Sequence, residues 1–194
     1  MLIGVTGSYG SGKTTVAKMF GKKGAVVINA DEICHSLINY PKPLYRKIVD
    51  CFGRNIVTRN KVIDRCKLAR IVFKDRSKLR ILNRLIHPLA IVEINEIIKR
   101  EKKRKTVILD APLLVETGFY RKMDKLIVVK NNRDKQIKRI CAAKGISRAD
   151  ALERIRMQAS LKKKLALADF IIDNSGSRKK TLFQVGNIWK TIRS

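Results

Sequence analysis

The stretch Gly7-Ser8-Tyr9-Gly10-Ser11-Gly12-Lys13-Thr14 restricts this chain more than any other. Gly, four residues, Gly-Lys-Thr is the pattern of a loop that cradles phosphate groups. Such a loop needs a strand before it and a helix after it. Leu2-Ile3-Gly4-Val5-Thr6 is a short apolar run of the kind buried in a sheet. Val16, Ala17, Met19 and Phe20 recur at helical spacing, and Gly24 stands where that helix would stop. Strand, glycine loop and helix start turn successive backbone N–H groups into one concavity at the positive end of a helix dipole, which holds phosphate oxygens. In such a loop Lys13 reaches the β and γ phosphates of a nucleotide, and the Thr14 hydroxyl ligates Mg²⁺.

The rest of the chain alternates strands and helices. Val26-Val27-Ile28-Asn29 is a second strand, and with the first it predicts a right-handed βαβ unit. Asp31 then lies just past the carboxyl end of that strand, where open α/β sheets bind ligands. The alternative reading is a cap for a helix over residues 32–38, and the two roles are compatible. Residues 34–105 carry helical patterns, with Leu44, Ile48 and Phe52 on one face and Leu79, Leu82 and Leu85-Ile86 on another. A stretch this long exceeds a crossover loop and predicts a helical lobe inserted between strands. Pro88 predicts a break between two helices, with His87 held out of the helical region as a joint. His87 is otherwise a candidate ligand. Thr106 to Leu109 forms a third strand closing on Asp110, placed like the carboxylate that orients Mg²⁺. Leu126 to Val129 and Phe170 to Asp173 form the fourth and fifth strands, and residues 183–192 a closing helix. Between these strands lie a helix from Asp134 to Lys144, stopped by Gly145, and another behind a capping box at Ser147-Arg148-Ala149-Asp150. Arg139, Arg154 and Arg156 on this pair suit either a lid that clamps phosphate or an ordinary solvated face.

Composition narrows the function classes. With 194 residues, 45% of them hydrophobic, the chain has enough material for one large folded domain. No apolar run reaches the roughly 20 residues of a membrane helix. No cleavable signal peptide precedes the first strand, so a cytoplasmic location is expected. Cys34, Cys51, Cys66 and Cys141 are widely spaced, as reduced thiols are, without the paired spacing of a zinc site. The 44 Lys and Arg against 16 Asp and Glu give a charge of +28, which attracts polyanions. These residues are spread over nearly every segment, as on a lysine-rich surface, and are not interleaved with aromatics. No specific nucleic-acid or membrane partner is expected.

In chain order these elements resemble the dephospho-coenzyme A kinase family, over nearly the whole length. The family's early phosphate loop matches Gly7 to Thr14, and its Asp-Ala-Asp element resembles Asn29-Ala30-Asp31. Its His-Pro element matches His87-Pro88-Leu89, and its Pro-Leu-Leu-x-Glu element matches Pro112-Leu113-Leu114-Val115-Glu116. Its lid pattern matches Arg154-Ile155-Arg156-Met157-Gln158, and its late signals match Ala168-Asp169 and Asn174. Two positions depart from the family. Asn29 stands at the first Asp, and Lys144 stands where an Arg is often found before the second lid helix.

The resemblance implies transfer of the γ-phosphoryl of ATP to the 3′-hydroxyl of dephospho-coenzyme A, the last step of coenzyme A biosynthesis. It implies a single domain over residues 1–194 with a three-layer αβα phosphate-loop kinase fold and a five-stranded parallel sheet. Within it, residues 34–105 form the coenzyme A lobe and residues 131–165 the lid. ATP binding falls to Gly7, Ser8, Tyr9, Gly10, Ser11, Gly12, Lys13, Thr14 and Thr15 with Arg139 and Arg154. Catalysis falls to Asp31, Lys13 and Arg139, and acceptor binding to Asp31, His87, Pro112, Leu113 and Glu116. Mg²⁺ falls to Thr14, with Asp110 acting through water.

Overall fold

The apolar runs read as strands all enter one sheet. A computed structural model describes residues 1–193, so Ser194, the last residue of the expected 1–194 domain, lies outside the described residues. The strands are β1 (Leu2–Gly7), β2 (Val26–Asn29), β3 (Val107–Asp110), β4 (Lys125–Lys130) and β5 (Phe170–Asp173). All pairings are parallel and the order is β2-β3-β1-β4-β5. β1 is the central strand and every one of its residues is buried. Its unbroken apolar run is the mark of a strand covered on both faces. The expected five-stranded parallel α/β sheet is therefore present.

The chain divides into two compact units, Met1–Asn29 with Ile98–Ser194, and Ala30–Ile97. In the first, α1 (Lys13–Gly21) and α9 (Arg178–Arg193) share an apolar core with the sheet. Val16 and Phe20 from α1 meet Val185 and Ile188 from α9, and the Phe20 and Trp189 rings stand 6.2 Å apart. α9 starts five residues before the expected Phe183. Its first turn, Arg178-Lys179-Lys180-Thr181, is polar and carries no apolar period to read. Three further helices follow β4: α6 (Arg133–Lys144), α7 (Arg148–Arg156) and the short α8 (Leu161–Leu165). The Asn132 side chain caps α6, Gly145 ends it in the left-handed conformation, and the Ser147–Asp150 capping box opens α7. These are sequence signals acting where they stand.

The Ala30–Ile97 unit holds α2 (Ala30–Leu37), α3 (Lys42–Phe52), α4 (Arg65–Val72) and most of α5 (Arg76–Glu101). Leu44, Ile48 and Phe52 share a buried face, as their spacing predicts. They pack with Ile56, Leu68, Leu82 and Ile86 in one cluster. Two expectations fail here. α5 runs through Pro88 without a break, so His87 lies inside a helix and is not a joint. A proline in a helix interior costs about 3 kcal/mol through the lost N–H and the clash with the preceding turn. Leu82, Ile86, Ala90 and Ile94, spaced by four, are all buried. Burying a large aliphatic side chain contributes roughly 1.5–3 kcal/mol, so three of them outweigh the proline. The second failure is Asp31 as a cap: α2 begins at Ala30, which puts Asp31 in the first helical turn with Glu32. A carboxylate there still complements the helix dipole.

Candidate active site

Five parallel strands present their carboxyl ends along one edge, and the glycine loop follows the central one. Gly10 and Gly12 take φ of +76° and +91°, which L side chains rarely adopt. A Cβ on Gly12 would stand 2.2 Å from Asn174 Nδ2 and 3.3 Å from Arg139 Nη1. The backbone thus turns where only glycine fits, and Arg139 stands beside the turn. No side chain caps the start of α1. The first-turn N–H groups, those of Lys13, Thr14 and Thr15 among them, are left for an anion at the positive end of the dipole. Lys13 and Thr14 are part-exposed and Thr15 is exposed. Asp110 is buried at the end of β3, beside Asn29 of β2 in the ladder.

Long-range side chains fix the loop from outside. Gln158 Oε1 accepts from the Tyr9 N–H at 2.7 Å, and Gln136 Nε2 donates to the Tyr9 carbonyl. Arg154 Nη1 donates to the Tyr9 hydroxyl at 3.2 Å, with its guanidinium carbon 5.9 Å from the ring centroid. The Tyr9 ring also packs on Ile137, Ile140 and Ala151, where α6 meets α7. On the other side, Asn174 Nδ2 donates to the Ser11 carbonyl at 2.9 Å, and Thr181 Oγ1 donates to Asn174 Oδ1 at 3.0 Å. Arg139 and Arg154 are thus brought to the loop together.

A buried cation lies at the root of the loop. Lys164 is 0% exposed. Its Nζ donates to the Gly7 carbonyl at 3.3 Å and to the Pro112 carbonyl at 2.7 Å, and it pairs with Glu116 Oε1 at 2.9 Å. Glu116 Oε1 also accepts from the Ala159 N–H at 2.8 Å, and the Thr6 hydroxyl donates to the Pro112 carbonyl at 3.1 Å. Burial lowers the Lys164 pKa, the Glu116 carboxylate opposes that, and the Lys13 charge adds to it. Pro112 and Leu113 are part-exposed on the stretch that follows β3.

Asp31 and His87 belong to the Ala30–Ile97 unit. Asp31 is exposed and His87 half-buried, and burial lowers the His87 pKa. Burial pushes the Cys34 thiol up to about 11, and the Asp31 and Glu93 carboxylates add to this, so Cys34 stays protonated at neutral pH. Sequence reasoning gave no role to Lys164, Gln136 or Glu93, and quoted Gln158 and Asn174 only within motifs. For Lys164 a signal existed. In Lys162-Lys163-Lys164, only Lys164 shares a helical face with Leu161 and Leu165.

Comparison with known proteins completes the assignment. The family model described as Dephospho-CoA kinase matches residues 1–180. The chain is 41% identical over 194 residues to the dephospho-CoA kinase of Carboxydothermus hydrogenoformans, covering 97% of this chain and 94% of that one. It is likewise 41% identical over 194 residues to the enzyme of Aquifex aeolicus, covering 98% and 96%. The solved dephospho-CoA kinase of Campylobacter jejuni superposes with a TM-score of 0.73 at 30% identity, covering 98% of this chain and 96% of that one. A phosphate loop on a five-stranded parallel sheet, with these motifs in order and these relatives along nearly the full length, means that the chain belongs to the dephospho-CoA kinase family.

Proposed function

We propose that this chain transfers the γ-phosphoryl of ATP to the 3′-hydroxyl of dephospho-coenzyme A, releasing coenzyme A and ADP in the last step of coenzyme A biosynthesis. The carrying observation is the loop itself: an uncapped helix start, left-handed glycines, and two arginines beside it. Phosphoryl transfer asks for positioning and charge neutralisation more than covalent chemistry. Lys13 and the loop N–H groups hold the β and γ phosphates. Arg139 and Arg154, carried on the residue 131–165 lid, close over them. Among the described residues no group of three or more His, Cys, Asp and Glu could hold a metal. That fits Mg²⁺, which needs no all-protein cage and takes substrate phosphates and water with one or two protein oxygens. Thr14 supplies one such oxygen and Asp110 orients through water. Bound Mg²⁺ supplies neutralisation of developing charge on the phosphates.

The Ala30–Ile97 unit is assigned the acceptor. Asp31 takes or orients the proton of the acceptor hydroxyl, and His87, Pro112 and Leu113 contact the acceptor. The excess of Lys and Arg draws in both polyanionic substrates. Among the described residues no helix is long and apolar enough to cross a membrane. ADP release with Mg²⁺, ATP and dephospho-coenzyme A tests the reading, with ATP alone and ATP with other hydroxyl acceptors as the comparison arms. Release that depends on dephospho-coenzyme A is expected. Equal release without it, or preference for a nucleoside acceptor, overturns the reading.

A further inference from the structure

Lys164 is fully buried, charged and outside every motif that defines the phosphate loop, yet it touches the residue from which that loop springs. Burying an ammonium costs several kcal/mol unless it is paired and hydrogen-bonded. Here the pairing is complete in kind: two backbone carbonyls, Gly7 and Pro112, and one carboxylate, Glu116. The carbonyls come from the segments that leave β1 and β3. Gly7 is closed on another side, since a Cβ there would stand 2.4 Å from the Val129 carbonyl oxygen and 2.6 Å from Ser11 Oγ. A carbonyl held by an ammonium has a fixed direction, and so has the loop that starts from it. The same carboxylate that neutralises Lys164 receives the Ala159 N–H, in the link between α7 and α8. One ion pair therefore joins the root of the phosphate loop to the chain that returns from the arginine-bearing helices.

We propose that Lys164 is a positioning residue for the nucleotide, and that Glu116 serves the Lys164 ammonium and not the acceptor. Lys164 holds the Gly7 carbonyl so that the loop N–H groups and Lys13 meet the phosphates. Glu116 keeps Lys164 charged in its buried site and ties the α7–α8 link to it. The inference rests on the kinase reading.

The test compares Lys164→Met, Lys164→Arg, Glu116→Gln and the double variant Lys164→Met/Glu116→Gln. Steady-state kinetics vary both substrates, and a fluorescent ATP analogue is titrated separately. Lys164→Met removes three contacts at once, so kcat/KM for ATP is expected to fall by about 30-fold or more, and analogue affinity by about tenfold. KM for dephospho-coenzyme A is expected to stay within about threefold, because no acceptor contact is lost. Lys164→Arg restores part of the loss. Glu116→Gln acts on the ATP side by about fivefold, and the double variant is no worse than Lys164→Met, because the two side chains act as one unit. Glu116→Gln raising only the KM for dephospho-coenzyme A overturns the proposal. So does a kcat loss in Lys164→Met that follows the folded fraction with both KM values unchanged. If Lys164→Met does not fold, Glu116→Gln decides alone. If the wild type binds the analogue but shows no transfer to dephospho-coenzyme A, the kinase reading fails, while the analogue titrations still decide the role of Lys164.

Discussion

The phosphate-loop region and the Ala30–Ile97 unit are held together by different forces. Around the loop, directional polar contacts cross the chain: Gln158 to Tyr9, Gln136 to Tyr9, Asn174 to Ser11 and Lys164 to Gly7. Each fixes a backbone group that an anion-binding loop must aim. The Ala30–Ile97 unit rests on an apolar cluster, and its polar ties are mostly short-range caps such as Asp64 on α4. An exception is the Ile63 N–H donated to Asn39 Oδ1 at 2.9 Å. Polar geometry tolerates little change of side-chain identity, while apolar packing tolerates volume-conserving swaps. Substitution of a part-exposed group at the loop should therefore remove function at little cost in stability. Substitution in the helical unit should do the reverse.

Lys13→Ala gives the largest effect expected from this contrast. Loss of one preorganised positive group at the transferring phosphate costs about 10²–10³-fold in kcat. Lys13 is part-exposed and outside the apolar cluster, so the melting temperature should move little. A folded variant with near-wild-type turnover would falsify the loop assignment. Asp31→Asn is the next largest, and it is where the contrast should break, since Asp31 is a polar residue of the helical unit with a chemical role. The replacement keeps shape but cannot take a proton, so kcat should fall roughly 10²-fold, with apparent ATP affinity unchanged. A rise confined to the KM of the acceptor would make Asp31 a binding residue.

Ile48→Ala tests the other side of the comparison. Ile48 is 0% exposed at the centre of the helical cluster. Truncation there should cost about 2–5 kcal/mol, read as faster hydrogen exchange in α3 and α5. Binding of an ATP analogue by the folded fraction should not change. Weakened analogue binding in that fraction would show that the two regions are energetically one.

The contrast also explains what was legible in the sequence. β2 is legible to the residue because Val26, Val27 and Ile28 form a continuous apolar run that closes on the polar Asn29. The caps at Ser147 and Gly145 were read because capping chemistry is local. Pro88 misled because a local rule was outweighed by burial at Leu82, Ile86 and Ile94, and the strength of burial depends on partners distant in sequence. The glycines, Lys13 and Thr14 carry the motif, whereas the grip of Gln136, Gln158 and Lys164 on the loop spans 127 to 157 positions and leaves no periodic trace. Lys164 was hidden further by standing in a run of three lysines, two of them solvent-facing.

The smallest expected effect separates the regions by acid. In the strand-bearing unit, Asp124, Asp169 and Asp173 all titrate below the ordinary value of 3.8. Burial opposes this at Asp124 and Asp169, but the Leu2 and Leu126 N–H groups and the Lys102 and Lys125 charges outweigh it. At Asp173 the contacts with Ser175 dominate. A carboxylate with a lowered folded pKa stabilises fully above its unfolded value and loses that contribution as pH falls below it. That loss begins only near pH 3.8. His87 in the helical unit is also lowered, by burial, but from 6.5. The unfolded chain then takes up its proton first, so stability is full above pH 6.5 and declines as pH falls toward the folded value. Between about pH 6.5 and 4.5, exchange in α3 and α5, corrected for the intrinsic rate, should accelerate while β1 and β4 stay protected. In His87→Gln that acceleration should vanish. Simultaneous loss of protection in both units, or an unchanged step in His87→Gln, would remove His87 as the acid-sensitive element of the helical unit.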